Sequence, residues 1–220
     1  AADALIYGQK EPGGWEYQID FRKKPKNNYC TFDDNTTQSA LRFLMALDMV
    51  IDKESLHNAV QKGLNFMLES QYENGAWPQW YPLRGGYHNW YTFNDDAIND
   101  CIKVMLDAHR YYGNPEYLES AEKAGDFIIM SQVSPSLPGW AQQYNYSLEP
   151  AWARSFEPPA VCSRVTSSNI RTLVDLYLYT GKEKYLEPIP AAIQWLEKSK
   201  LPNGLWARFY ELGTNRPVYC

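Results

Sequence analysis

Two clusters of oxygen-bearing side chains stand out in this chain. Asp33, Asp34 and Asn35 follow Phe32, and sixty-one residues later Asn94, Asp95 and Asp96 follow Phe93. Each cluster stands at the head of a run with helical apolar spacing, 36–50 in the first case and 97–112 in the second. Asp and Asn before a helix commonly act as N-caps, and one such residue per helix needs no other explanation. Two or three in a row, twice, exceed what capping requires. Carboxylates and amides without imidazole or thiolate are hard oxygen ligands that suit Ca2+. No EF-hand spacing is present, so ligand type and repetition alone carry that inference. The same carboxylates also fit a glycosidase, in which two of them act as acid and base.

Arginines form the second constellation. The segment Trp152-Ala153-Arg154-Ser155-Phe156-Glu157-Pro158-Pro159 stands before the third unit, where the acidic turns stand in the first two. Its prolines stiffen the turn and hold Arg154 and Glu157 in place, a spacing that also describes a plain ion pair. Further on come Trp206-Ala207-Arg208-Phe209-Tyr210-Glu211 and Asn215-Arg216. Arg154, Arg208 and Arg216 would supply local positive charge, and guanidinium forks match carboxylates at two points. His57 and His109 fall in helical runs, while His88 lies in a long loop as a candidate substrate contact. Gly85-Gly86 after Arg84 has no phosphate-loop pattern, and no Ser-His-Asp signature appears.

The bulk properties narrow the choices. A net charge of −5 excludes the basic surface of a nucleic-acid binder. No stretch approaches the eighteen apolar residues of a membrane span. Ala1 opens without a signal peptide, as a processed chain would. Aromatics make up 15% of the chain, with 17 Tyr and 8 Trp, which suits helix–helix gaps or a cleft where sugars stack on rings. Cys30, Cys101, Cys162 and Cys220 have no zinc-like spacing and read as buried free thiols.

A repeat positions these residues. Trp15, Trp77, Trp140 and Trp206 recur at spacings of 62, 63 and 66, closing successive units on Gly-Trp or Gly-x-Trp corners. A period of this length means repeated supersecondary units. Apolar spacing predicts three helical hairpins: 36–50 with 54–70, 96–112 with 115–132, and 167–179 with 182–199. Gly113 and Gly181 mark the inner helix ends, and Pro115 opens the next helix. Pro188 and Pro190 belong to the first turn of the last helix or delay it. Leu56 and Phe66, Leu118 and Ile128, and Leu186 and Leu196 each sit ten apart, close to three turns, marking one buried stripe per second helix. Short aromatic stretches at 87–93 and 205–210 are candidate extended segments. Long loops at 71–94 and 134–166 fall on one end of the hairpins, where function tends to gather.

With those motifs in place, the chain resembles the family 10 polysaccharide lyases, the helical pectate lyases. The resemblance rests on Asn74-Gly75-Ala76-Trp77-Pro78-Gln79-Trp80-Tyr81-Pro82, on Thr92-Phe93-Asn94-Asp95-Asp96-Ala97, on 153–159, and on 206–212 with 214–217. It implies an all-α (α/α) toroid of repeated hairpins, three of them visible, forming one catalytic domain over 1–220. The family extends beyond both ends of this sequence, so the domain is expected to be shortened at each end and open as an array. The resemblance further implies calcium-dependent β-elimination of polygalacturonate (pectic acid) by a secreted or periplasmic monomer. Carried over, Arg154 is the catalytic base, with Arg208 as the second candidate, and Asp34, Asn35 and Asp96 are metal ligands. Arg208, Arg216, Trp77, Tyr81, Asp95 and Trp140 are the substrate contacts. Cys162-Ser163-Arg164 departs from the family pattern and implies one altered subsite.

Two other readings stand beside this one. A glycoside hydrolase on an (α/α) toroid would use Asp34 and Asp96 as paired carboxylates and work without calcium. A non-catalytic relic would bind pectin without turnover.

Overall fold

The computed structural model describes residues 1–23 and 27–219. Helix α1 (Ala2–Gly8) precedes three hairpins: α2 (Thr36–Asp48) with α3 (Glu54–Glu69), α4 (Ala97–Tyr112) with α5 (Pro115–Met130), and α6 (Ser163–Thr180) with α7 (Ile189–Lys198). First helices α2, α4 and α6 pack side by side in that order, and each second helix backs its own partner. Helix α4 is buried nearly all round, because it is flanked on both sides and covered by α5. This is the expected all-α arrangement of repeated hairpins. Among the described residues, no helix is long and apolar enough to cross a membrane.

The repeat has a physical cause in its tryptophans. Trp15, Trp77, Trp140 and Trp206 each donate their indole N–H to a carbonyl of the preceding helix: Leu5, Met67, Ile128 and Leu196 respectively. Each bond adds a donor to a carbonyl near a helix end while the ring seals the corner. At Gly13 (φ 124°) and Gly75 (φ 94°) the corner lies directly on the next second helix, where any Cβ would strike the Lys62 or Lys123 carbonyl. Three glutamines complete the joint. Gln9, Gln71 and Gln132 each donate to one carbonyl of their own corner and to one of the following unit, at Ala59, Ser120 and Pro188.

Short strands tie each unit to the next. β1 (Cys30–Thr31) pairs antiparallel with β2 (Trp80–Tyr81), and β3 (Tyr91–Thr92) with β4 (Gln143–Tyr144). β5 (Ala160–Cys162), β6 (Phe209–Glu211) and β7 (Pro217–Val218) form a three-stranded sheet in that order. The expected extended stretches shrink to β3, preceded by a 3-10 turn at Gly86–Asn89, and to β6. Helix α6 starts at Ser163, four residues earlier than the spacing predicts, because β5 runs straight into it. Pro188 and Pro190 delay α7 to Ile189, leaving a separate 3-10 turn at Glu183–Tyr185. Leu56, Phe66 and Ile128 are buried as the ten-residue stripes require, whereas Leu118, Leu186 and Leu196 pack at the core margin. Cys30, Cys101 and Cys162 are buried free thiols, and Cys220 lies outside the described residues.

Candidate functional site

Both acidic turns are built the same way. The Oγ1 of Thr31 accepts from the Asp33 amide and that of Thr92 from the Asn94 amide, each at 3.1 Å. Asp34 and Asn35 then adopt φ of 50° and 55°, and Asp95 and Asp96 adopt 48° and 59°. Asn and Asp enter this left-handed region more readily than other non-glycine residues, so backbone geometry explains part of the composition. Capping does not, because neither Asn35 nor Asp96 makes a side-chain bond to its helix. Instead one carboxylate oxygen from each of Asp33, Asp34 and Asp95 lies within 4.8 Å of the other two. Tyr17 donates its hydroxyl to Asp33 Oδ2 at 2.5 Å, and Asp33 Oδ1 is buried without a partner among the described residues. Burial, together with the charges of Asp33 and Asp95, raises the pKa of Asp34. Three crowded carboxylates with an unpartnered oxygen fit a hard divalent cation.

Facing them is a network of arginines. Arg154 grips Glu157 in a two-point contact, Nε to Oε2 at 2.7 Å and Nη2 to Oε1 at 2.6 Å. Glu157 is 3% exposed and also accepts from Gln142 Nε2 at 2.7 Å. Burial opposes its ionisation, but the bonds from Arg154 and Gln142 outweigh it and hold its pKa below the usual carboxylate value. The same pairing raises the pKa of Arg154. Arg208 Nη2 donates to Gln142 Oε1 at 2.6 Å and to Asn94 Oδ1 at 3.2 Å, and stands 3.9 Å from Glu157. Asn94 in turn donates to Asp95 at 2.6 Å, so one chain of contacts runs from Arg154 to the acidic cluster. Carboxylates and arginines meet at one cleft of about 260 Å3. Larger hollows elsewhere, such as one of about 410 Å3 beside Arg42 and Asp107, gather no such carboxylates among the described residues.

A family model described as pectic acid lyase matches residues 9–204. The chain belongs to that family and is a polysaccharide lyase. No curated protein matches the sequence. Among solved structures, the lyase is similar to a family 10 polysaccharide lyase from Cellvibrio cellulosa, a mutant in complex with trigalacturonic acid. That match has a TM-score of 0.81 and 23% identity, and it covers 98% of this chain and 78% of that one. Another structure of the Cellvibrio cellulosa family 10 lyase matches with TM-score 0.76 and 22% identity over the same shares. Cellobiose 2-epimerase from Spirochaeta thermophila has TM-score 0.72 and 12% identity, covering 97% of this chain and 54% of its own. Identities this low speak for the fold, an (α/α) toroid type.

The lyase distributes the residues singled out from sequence unevenly. Asp34, Asp95 and Arg154 line the cleft, and Arg208 joins it through Asn94 and Gln142. Asp96 lies outside the carboxylate cluster and faces Arg164 at 3.7 Å, whereas Asn35 Oδ1, like Asp33 Oδ1, is buried without a hydrogen-bond partner among the described residues. Asp33 joins the cluster, beyond the ligand set that the resemblance implies. Trp77 and Trp140 are 1% and 0% exposed, with their indole N–H groups committed to carbonyls, so they have no surface to offer a sugar. Tyr81 packs edge-on against Phe66, away from the cleft, and Arg216 sits exposed between β6 and β7. Exposed rings occur instead at Trp152 and Phe156, on either side of Arg154. His88 lines the cleft, where burial and then Arg84 lower its pKa.

The arginine segment also needs a correction. The amides of Phe32, Phe93 and Ser163 make equivalent bonds, to the carbonyls of Gln79, Gln142 and Arg208. Ser163, not Arg154, therefore occupies the third unit's turn position. The Arg154 loop is an excursion before β5 that bends back over the cleft.

Proposed function

We propose that this lyase cleaves polygalacturonate by calcium-dependent β-elimination, with Arg154 as the base. The observation that carries the reading is the single cleft uniting Asp33, Asp34 and Asp95 with the Arg154–Glu157–Arg208 group. An acidic polymer approaching an acidic chain needs such a pairing of guanidinium groups with a cation held between protein and substrate. Asp33, Asp34 and Asp95 would hold calcium, which when bound draws charge from the uronate carboxylate and makes the neighbouring C5 proton more acidic.

The chain's own residues do the rest. Glu157 fixes the Arg154 fork through Nε and Nη2, and Nη1 makes no hydrogen bond among the described residues. Arg154 takes the C5 proton, the C–H electron pair becomes the C4–C5 double bond, and the C4–O4 bond breaks. The departing oxygen takes a proton from solvent. Because Glu157 favours the protonated guanidinium, Arg154 must first release a proton, and the rate is expected to climb with pH through the alkaline range. Arg208, held by Gln142 and Asn94, adds the positive charge that opposes Glu157. A substrate of polymer size would be met outside the cytoplasm, which supports a secreted or periplasmic location in this reading.

The test is ultraviolet absorbance of the unsaturated product on polygalacturonate, with calcium and then with chelator, for wild type and Arg154→Ala. Calcium-dependent signal lost in the variant supports the reading. Products without a double bond, or turnover in chelator, would favour hydrolysis, and binding without any turnover would mark a relic.

A further inference from the structure

The cleft contains a guanidinium that neither the carboxylate cluster nor the Glu157 network uses. Arg84 lies on the exposed loop after β2 and lines the same cleft as Asp34 and Arg154. Its guanidinium carbon stands 4.4 Å from the Trp80 ring centre and 4.9 Å from that of Tyr29. Trp80 is itself braced edge-on by Tyr17 at 5.5 Å, the same Tyr17 that donates to Asp33. Two rings thus hold one flat group at the cleft edge, through cation–π attraction and contact of apolar faces.

Its lack of a partner is the informative part. Arg154 and Arg208 are both directed at Glu157. Among the described residues, no carboxylate lies within 4.0 Å of the Arg84 guanidinium and no hydrogen bond engages its five N–H groups. A stacked guanidinium keeps its N–H edge free and loses little rotational freedom on meeting a ligand. A flat, two-oxygen anion is the ligand such an edge matches.

Resting on the reading of the substrate as an acidic galacturonan, we propose that Arg84 binds a uronate carboxylate of the polymer. It makes the enzyme prefer free acid over methyl ester at that sugar. A methyl ester has no negative charge and offers a poorer two-point acceptor, so the contact discriminates by charge. The site is built from Arg84, Trp80 and Tyr29, and it is separate from the Arg154 and Arg208 pair.

The test compares wild type, Arg84→Ala and Arg84→Lys on polygalacturonate and on pectins of increasing methyl esterification. Arg84→Ala is expected to raise KM on the acid polymer about tenfold to a hundredfold, with a far smaller fall in kcat. On highly esterified pectin the same substitution should change KM by less than about threefold, so discrimination between the polymers flattens. Arg84→Lys keeps charge but loses the fork and should fall between. An equal KM rise on both polymers would overturn the proposal, since loop support alone predicts it. Electrophoresis through gels containing polygalacturonate separates this proposal from the parent reading. Wild type retarded and Arg84→Ala not retarded supports the clamp even if no elimination is seen. Equal retardation of both sinks it even if elimination is robust.

Discussion

The first two units and the third diverge at one turn. Thr37, whose Oγ1 accepts from the Trp15 amide, lies five positions after Phe32. In the third unit Thr166, which makes the same bond to the Trp140 amide, lies three positions after Ser163. Units one and two spend the longer turn on two left-handed residues each, and these bring Asp33, Asp34 and Asp95 together. Unit three has neither the left-handed step nor the carboxylates, and its α6 begins directly after β5. Its charge sits instead on an excursion before β5 that reaches back over the cleft, where Arg154 and Glu157 pair. A symmetric scaffold becomes an asymmetric site by shortening one turn and lengthening one loop. The clustered carboxylates come from the repeated turns, and the Arg154–Glu157 pair comes from the part that breaks the repeat.

Removing the asymmetric half should have the largest effect. Arg154→Ala is expected to lower kcat by about a hundredfold to ten-thousandfold, the range for loss of a positioned base. Its side chain is half exposed, so the thermal midpoint should move little. A variant retaining more than a tenth of wild-type kcat would remove Arg154 from the base role.

The symmetric half comes next. Asp34→Asn and Asp95→Asn are each expected to raise the half-saturating calcium concentration about tenfold to a hundredfold, while Asp96→Asn leaves it nearly unchanged. Burial and its acidic neighbours raise the pKa of Asp34, so protons compete with the cation over a higher pH range than for a free carboxylate. The calcium requirement should therefore grow as pH falls, most steeply near that raised value. Calcium titrations at several pH values check both points, and a large effect at Asp96 would return the ligand set to the sequence-based one.

Glu157 links the two halves, and its expected effect is on stability. Its folded-state pKa is lowered, so the stabilisation is present above the unfolded carboxylate value near 4.5 and is lost as pH falls through the lower folded value. Glu157→Gln should cost about 1–2 kcal/mol at neutral pH, reduced because the Arg154 side chain is half solvated. The gap between wild type and variant should close on acidification below pH 4.5. Denaturant unfolding across pH measures it, and a gap that widens instead would contradict the sign.

How much of this was legible depends on which physical property carried each feature. The tryptophan corners were visible because each indole makes the same bond at nearly the same spacing. Gln9, Gln71 and Gln132 share that period and went unnoticed, since a lone glutamine has no apolar pattern to mark it. The acidic turns were visible, but not their membership. Which carboxylate oxygens meet depends on the backbone path through the turns, and the cluster gathers Asp33 and Asp95 with Asp34 rather than Asp96. Repetition misled the aromatic assignment, because Trp77 and Trp140 recur for packing while the exposed Trp152 and Phe156 do not recur at all. Arg84 stood out in no pattern. Its setting comes from Tyr29, fifty-five residues earlier, and only the fold brings the two together.

The smallest predicted effect tests whether the repeat is energetically uniform. Trp77 and Trp206 make the same kind of indole bond, to the Met67 and Leu196 carbonyls. Their surroundings differ, because Trp77 is 1% exposed and Trp206 is 43% exposed. Replacing Trp77 with Phe leaves the buried Met67 carbonyl with only the longer 3.3 Å bond from Ser70 Oγ and opens space where the second indole ring sat, at about 1–2 kcal/mol. Replacing Trp206 with Phe leaves the Leu196 carbonyl near solvent, where water can substitute, at under about 0.5–1 kcal/mol. Urea unfolding of the two variants should differ by about 1 kcal/mol with Trp77→Phe the less stable. Equal losses would mean that the corner bond itself, rather than burial around it, sets the strength of each joint.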